Sequence, residues 1–329
     1  MTWPTDFVCI PADDWSSQPL EELAMKYDTV EEHGWYDNLN PTVSQLAQRH
    51  GPEDIVMDYS GGTGILTARL KQSMGGNAPH ALIVDSSPKF LRLALEKFKT
   101  DPRVAYRLIR YLKPERRLQF LQEVLEPPLW DRGLDAIVST NAIHLYYQLE
   151  QTLSSWHAIL RPTGCAYIQS GNIRNPDAPA DSWIIDETVE HIHKASIEIV
   201  LETDGYQEFR PLLDNPTYME AHDKLRAKYF LPVRDISHYT DAFKQSRLDP
   251  VSITMERIPA LVSEWYEFLS VYHEGALGWI GGAMKITGKS SSPEVVERRK
   301  ALMWESMQRI FEGRPHFDAC WNYFICERR

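Results

Sequence analysis

Apolar residues along the chain fall into short runs separated by longer amphipathic stretches. Runs at 55–58, 81–84, 104–109, 134–139, 164–170, 251–258 and 321–327 have the length and composition of buried strands. Between them apolar residues recur at helical spacing, as in ILTARL at 65–70 and in SHYTDAFKQSRL before the sixth run. Strand and helix alternate, which predicts an α/β fold: a mostly parallel sheet covered by helices on both faces.

Two regions depart from that alternation. Residues 1–50 predict an irregular arm followed by short helices. SQPLEELAMKYD carries a capping signal at Ser17 and a stripe of Leu20, Leu23 and Tyr27, and NPTVSQLAQRH reads as a second helix. Trp15, Tyr27, Trp35 and Tyr36 in this arm either shield a site from water or pack onto the sheet edge. At 173–235, a Pro- and Asp-rich linker precedes two helical stripes. One is Ile185, Val189, Ile192 and Ile199; the other is Tyr218, His222, Leu225 and Tyr229. The expected division is an arm at 1–50, a core at 51–172 and 236–329, and an inserted helical cap at 173–235. A later glycine cluster, Gly275, Gly278, Gly281 and Gly282 around Trp279, reads either as a lid edge or as a plain helix connection.

The chemistry centres on IVMDYSGGTGILTARL at 55–70. Gly61, Gly62 and Gly64 lie between a buried strand and a helix start, where a backbone without Cβ can turn tightly and approach a ligand. Asp85 closes the next strand, about twenty residues on, the usual place for an acid that grips a ribose. The glycine spacing is not G-x-G-x-x-G, and Asp58 directly before the loop would repel a pyrophosphate. Two acids in these positions suit a nucleoside with a positively charged amino-acid tail.

VMDYSGGTG followed by VDSSPKFLRLA resembles the first two motifs of class I S-adenosylmethionine-dependent methyltransferases. LDAIVSTNAIHLYYQLEQTLSSWHAILRPTGCAYIQ resembles their fourth strand, its helix and the turn into the fifth. The likeness spans 55–170, and the subgroup it is most similar to is the small-molecule, ubiquinone/menaquinone-type C-methyltransferases. The resemblance implies a Rossmann-like, seven-stranded sheet whose last strand runs antiparallel between its neighbours. It implies S-adenosyl-L-methionine as cofactor and transfer of a methyl group to an O, C or N atom of a small-molecule acceptor. Ser60, Gly61, Gly62 and Gly64 would lie against the methionine tail, and Asp58 near its ammonium. Asp85 would take the ribose, Ser86 would sit beside the adenosine, and Thr140, Asn141 and Ala142 would line the methyl end. The cap would build the acceptor pocket. Ser60 stands where the family has its first glycine. No acid follows the third strand, where Arg107 and Arg110 are found instead.

A proton acceptor is needed only if the acceptor atom starts protonated. His144, Tyr146 and His238 are the candidates for that chemistry or for orienting the acceptor, a structural role being the alternative for each. His191 and His193 are two apart on a helix and make a poor metal pair. Trp183 and Trp279 are the tryptophans expected at a pocket. The net charge of −11 offers no basic track for a nucleic acid, and no apolar run is long enough to insert in a membrane. Four scattered cysteines suggest neither zinc nor a disulfide framework, and no signal segment is evident, so a cytoplasmic protein, possible as a homodimer, is expected. The competing functional class is a protein that binds the same cofactor without transferring its methyl, as a regulator or a pericyclase-like relative.

Overall fold

The computed structural model describes residues 3–329, the Leu23 side chain excepted. Seven strands form its main sheet: β1 (Ile55–Tyr59), β2 (His80–Asp85), β3 (Val104–Leu108), β4 (Leu134–Thr140), β5 (Leu160–Ser170), β6 (Leu248–Leu261) and β7 (His316–Arg328). Their order is β6-β7-β5-β4-β1-β2-β3. All neighbours pair in parallel except β7, which runs antiparallel to both β6 and β5. This is the Rossmann-like architecture expected from the alternating pattern. Residues in β1 and β2 are almost wholly buried, as strands covered on both faces must be.

Register places the chemistry. Asp58 pairs with Ile83 on one side and Val138 on the other. The ends of β1, β2 and β4 therefore lie level, and Ser60, Asp85 and Thr140 emerge together at the carboxyl edge, between strands whose order reverses there.

Helices α1 (Glu22–Asp28) and α2 (Asn40–Arg49) come from the arm, and α3 (Ile65–Met74), α4 (Pro88–Phe98) and α5 (Leu149–Ile159) from the core. The capping signal falls elsewhere than expected: Ser17 ends a short 3₁₀ turn, and α1 starts after Glu21 with no side-chain cap. Trp15 packs tilted against Tyr106, and Trp35 and Tyr36 are buried in the main core. Tyr27 alone of the four arm aromatics reaches the cavity described below.

The insertion at 173–235 is closed at its base by a short parallel pair, Ile173–Arg174 with Arg234–Asp235. It carries α6 (Glu187–Glu202) and α7 (Pro216–Tyr229), and α8 (Ile236–Gln245) follows in the core. A second helical insertion joins β6 to β7 where a tight hairpin would suffice. It contains α9 (Val262–Val271) and α10 (Pro293–Ile310). Both insertions share one apolar core with the sheet: Ile185, just before α6, and Val189 and Ile192 of α6 cluster with Trp265, Leu302 and Met303, and with Val138 and Tyr167. Trp279 is fully buried within it, and the Arg299 guanidinium, also fully buried, donates to the carbonyls of Ile280 and Gly282. The glycine-rich stretch 275–282 is therefore a packed connection, and Trp279 is a core anchor rather than a pocket wall. Trp183 packs edge-on against Phe311, away from the carboxyl-edge cavity.

Candidate donor site

Beyond the level strand ends opens a cavity of about 630 Å³, within the range of sites that bury a small organic ligand. Ser60, Gly62, Asp85, Ser86, Thr140, Asn141, Ala142 and Tyr146 all line it. Eight residues singled out from three separate stretches of sequence thus meet in one place. Gly61 and Gly64 do not reach the wall. A Cβ on Gly61 would lie 2.7 Å from the Asp58 Cγ, and one on Gly64 2.8 Å from the Phe98 ring. Both glycines serve close packing, of the loop on Asp58 and of α3 on α4.

Gly62 has φ +57° and its N–H donates to the Asp85 Oδ2 at 2.8 Å. The Ser87 N–H donates to Oδ1 at 2.7 Å. These bonds fix the carboxylate at the cavity wall, and each oxygen keeps a lone pair for a ligand hydroxyl. Burial raises the Asp85 pKa, and the backbone donors oppose that shift. Ser87 also caps α4, accepting from the Phe90 N–H at 3.3 Å, with Pro88 in the first turn.

Asp58 lies beneath the loop, only 2 % exposed. Its Oδ2 accepts from the Thr67 hydroxyl at 2.8 Å, while its Oδ1 is buried with no partner among the described residues. Burial pushes its pKa up to about 7. A buried acceptor without a donor is costly, so Oδ1 is suited to a hydrogen-bond donor or cation arriving at the loop.

Ser60 adopts φ +59° in the position that glycine would fill without strain. Its hydroxyl lies 2.9 Å from the Tyr146 OH, which lies 2.8 Å from the Ser139 hydroxyl. This short chain ties the glycine loop to the segment after β4. Asn141, at φ +53°, accepts from the Trp321 Nε1 at 2.8 Å and donates to the buried Asn38 at 3.2 Å.

Two of the three candidate catalytic residues lie away from the cavity. His144 turns from it: Nδ1 is 3.1 Å from the Ser170 hydroxyl, and Nε2 is 3.1 Å from the Asn172 amide nitrogen. Asn172 donates, so Nε2 accepts and the proton stays on Nδ1, facing Ser170. Burial holds the ring neutral by lowering its pKa to about 4. His238 is exposed at the start of α8, its Nε2 3.0 Å from the Arg234 guanidinium. Tyr146 remains at the wall.

The missing acid after β3 is not replaced by the nearby arginines. Arg107 is buried and pairs with Glu126 at 2.7 Å, and Arg110 pairs with Asp13 at 2.6 Å. The wall there is made by Ile109, Gln119 and Phe120, with a small hairpin, Tyr111–Leu112 against Arg117–Leu118, at the rim. Phe90 and Tyr27, stacked at 4.9 Å, close another side. No residue of 173–235 lines this cavity. Among the described residues no group of three or more His, Cys, Asp or Glu side chains is placed to hold a metal.

Residues 57–168, spanning the glycine loop, Asp85 and the segment after β4, match the protein family described as a methyltransferase domain. Stretches of curated proteins align to part of the chain. Residues of the hybrid PKS-NRPS synthetase apdA of Emericella nidulans are 28% identical over 135 residues, 41% of this chain and 3% of that protein. Those of the reducing polyketide synthase ppsB of Aspergillus oryzae are 26% identical over 142 residues, 43% of this chain and 5% of that protein. The chain thus matches only a small fraction of either relative. The crystal structure of the YcgJ protein from Bacillus subtilis superposes with a TM-score of 0.50 at 12% identity, covering 89% of this chain and 99% of that one. That likeness establishes the fold. The methyl donor such a domain implies is S-adenosylmethionine, and the residues present fit it: an Asp85 carboxylate fixed at the cavity wall with lone pairs to spare, a glycine loop, and an Asp58 Oδ1 with no partner among the described residues, suited to an ammonium or a bridging water.

Proposed function

We propose that this protein is an S-adenosylmethionine-dependent methyltransferase acting on a small-molecule acceptor. The observation that carries the reading is the pair of acids at the level strand ends. Asp85 is held at the cavity wall by the Gly62 and Ser87 amides, and Asp58 keeps a buried, partnerless oxygen beneath the same loop. One carboxylate fits a sugar diol and the other a cationic tail.

When bound, the donor supplies an electrophilic methyl group on a sulfonium. The residues of the chain bind, orient and exclude water. Asp85 would hold the ribose, Gly62 and Ser60 would flank the tail, and Gln119 and Phe120 would enclose the base. Thr140, Asn141 and Ala142 would border the methyl end. Asn141 is suited to hold a fixed position there because Trp321 and Asn38 lock its amide. Tyr146 would orient groups at the wall. The His144 ring has both nitrogens engaged, so a positioning role for the segment 140–145 fits it better than proton abstraction. An acceptor presented with a free lone pair or an already activated carbon needs no base. The named polyketide synthases among the relatives support a secondary-metabolite acceptor, with cofactor biosynthesis the neighbouring possibility.

A second reading, donor binding without methyl transfer, is favoured by the absence of any histidine among the residues lining the cavity. Calorimetry with S-adenosylmethionine and S-adenosylhomocysteine tests the shared premise. Binding to the wild type, with loss of at least about tenfold in Asp85→Ala and in Gly62→Val, is expected. No binding, or unchanged binding in the combined variant, overturns the proposal. Deuterated donor added with a metabolite extract, followed by mass spectrometry for a compound gaining a labelled methyl, separates enzyme from binder.

A further inference from the structure

A second hollow, of about 320 Å³, lies in the cap, bounded by α6, α7 and the stretch 230–233. Its apolar wall is formed by Val189, Phe230, Leu231 and Val233. Its polar lining is unbalanced: Asp186, Glu187, Glu190 and Asp223 face two cations, Arg174 and Arg226. The arginines are already engaged. Arg226 pairs with Glu190 at 3.1 Å and with Asp223 at 3.0 Å, and Arg174 pairs with Glu187.

That leaves Asp186. Its side chain is only 14% exposed, and among the described residues no Lys or Arg pairs with it. Its carboxylate accepts a hydrogen bond from the Asn172 side chain, and the His144 Nε2 lies 3.8 Å away. That nitrogen accepts from Asn172, so it has no proton to offer the carboxylate. Burial raises the Asp186 pKa to about 7, and the hydrogen bond from Asn172 opposes that shift only in part. A buried acid with no cation, set in a half-apolar hollow of net negative lining, is complementary to an ammonium attached to an apolar body.

We propose that this hollow is a second ligand site, distinct from the donor cavity, that takes a small molecule bearing a basic nitrogen on an apolar or aromatic body, with Asp186 as the anchoring carboxylate. The apolar body lies against Val189 and Phe230, and the ammonium replaces the cation Asp186 lacks.

Phenethylamine, phenethyl alcohol and 3-phenylpropionate, titrated into the full chain by calorimetry at pH 7.5, test this. The amine is expected to bind at least about tenfold more tightly than the alcohol or the acid, and to lose about tenfold in Asp186→Asn. Ala227 is an exposed residue on the wall of the hollow, so Ala227→Trp obstructs it without entering the core, and it should abolish amine binding even if the Asp186 variant fails to fold. Equal binding of amine and alcohol, or wild-type amine affinity in Ala227→Trp, overturns the proposal. S-adenosylhomocysteine is titrated separately, so a failure of the donor reading is seen independently of this one.

Discussion

Ser60 holds a left-handed backbone that costs a side-chain-bearing residue roughly 1–2 kcal/mol, and its hydroxyl recovers part of that through Tyr146. Ser60→Gly should therefore leave stability within about 1 kcal/mol of wild type in denaturant melts, strain relief offsetting the lost hydrogen bond. It should also tighten S-adenosylhomocysteine binding, because the side chain stands in the cavity wall. Asp58 gives a pH signature. Its folded pKa is raised from the ordinary carboxylate range to about 7, so its contribution to stability is full below the unfolded pKa and is lost as pH rises through about 7. A cationic tail favours the ionised form, so S-adenosylhomocysteine affinity should rise over the same window, with proton release near pH 6.5. Asp58→Asn should remove that proton release and reduce the slope of stability against pH. A slope remains from Asp186, which is shifted in the same direction. An Asp58→Asn protein with unchanged proton release would show that the carboxylate does not meet the ligand.

The loop between β5 and the cap shows how packing within an element reaches the site. A Cβ on Gly171 would lie 2.7 Å from the buried Trp321 ring, and Trp321 Nε1 holds Asn141 at the cavity wall. Gly171→Ala should lower stability by about 1–3 kcal/mol through overpacking and also weaken donor binding. Equilibrium unfolding and calorimetry measure the two effects, and a destabilised variant with intact affinity would uncouple Trp321 from the site. Elements of this kind differ in how far the sequence discloses them. The five strands from 55 to 170 were legible because each centres on a short, mostly apolar run, and Asp85 because it ends one of them. The wall at Gln119 and Phe120 was not, since its hairpin uses two-residue strands with no apolar alternation. His144 followed the expected motif, yet its ring direction depends on Ser170 and Asn172, 26 and 28 residues away. Trp279 stood among glycines that read either as a lid edge or as a plain helix connection, and its burial comes from tertiary packing, with His193 of α6 edge-on to its ring.

Across the molecule, one apolar cluster joins the arm, the sheet and both helical insertions, with Trp35, Tyr36, Val138, Ile192, Trp265 and Met303 among its members. The cap is therefore not an independent lobe set on a finished core. Far-ultraviolet and near-ultraviolet circular dichroism should report a single coincident unfolding transition. Replacing 176–232 by a short Gly-Ser linker should leave no cooperatively folded protein. Two resolved transitions, or a folded deletion variant, would show that the cap is separable.

The placement of β7 bears on synthesis as well as on the finished fold. Residues 316–328 lie between β5 and β6, so a nascent chain that has not yet exposed them leaves β5 with a bare hydrogen-bonding edge. Docking of that late-made segment pairs the edge and brings Trp321 to Asn141 in the same event. Ligand-binding competence would then appear only after ribosomal emergence of this stretch, and the growing polypeptide would be a natural client for chaperones that guard unpaired strands.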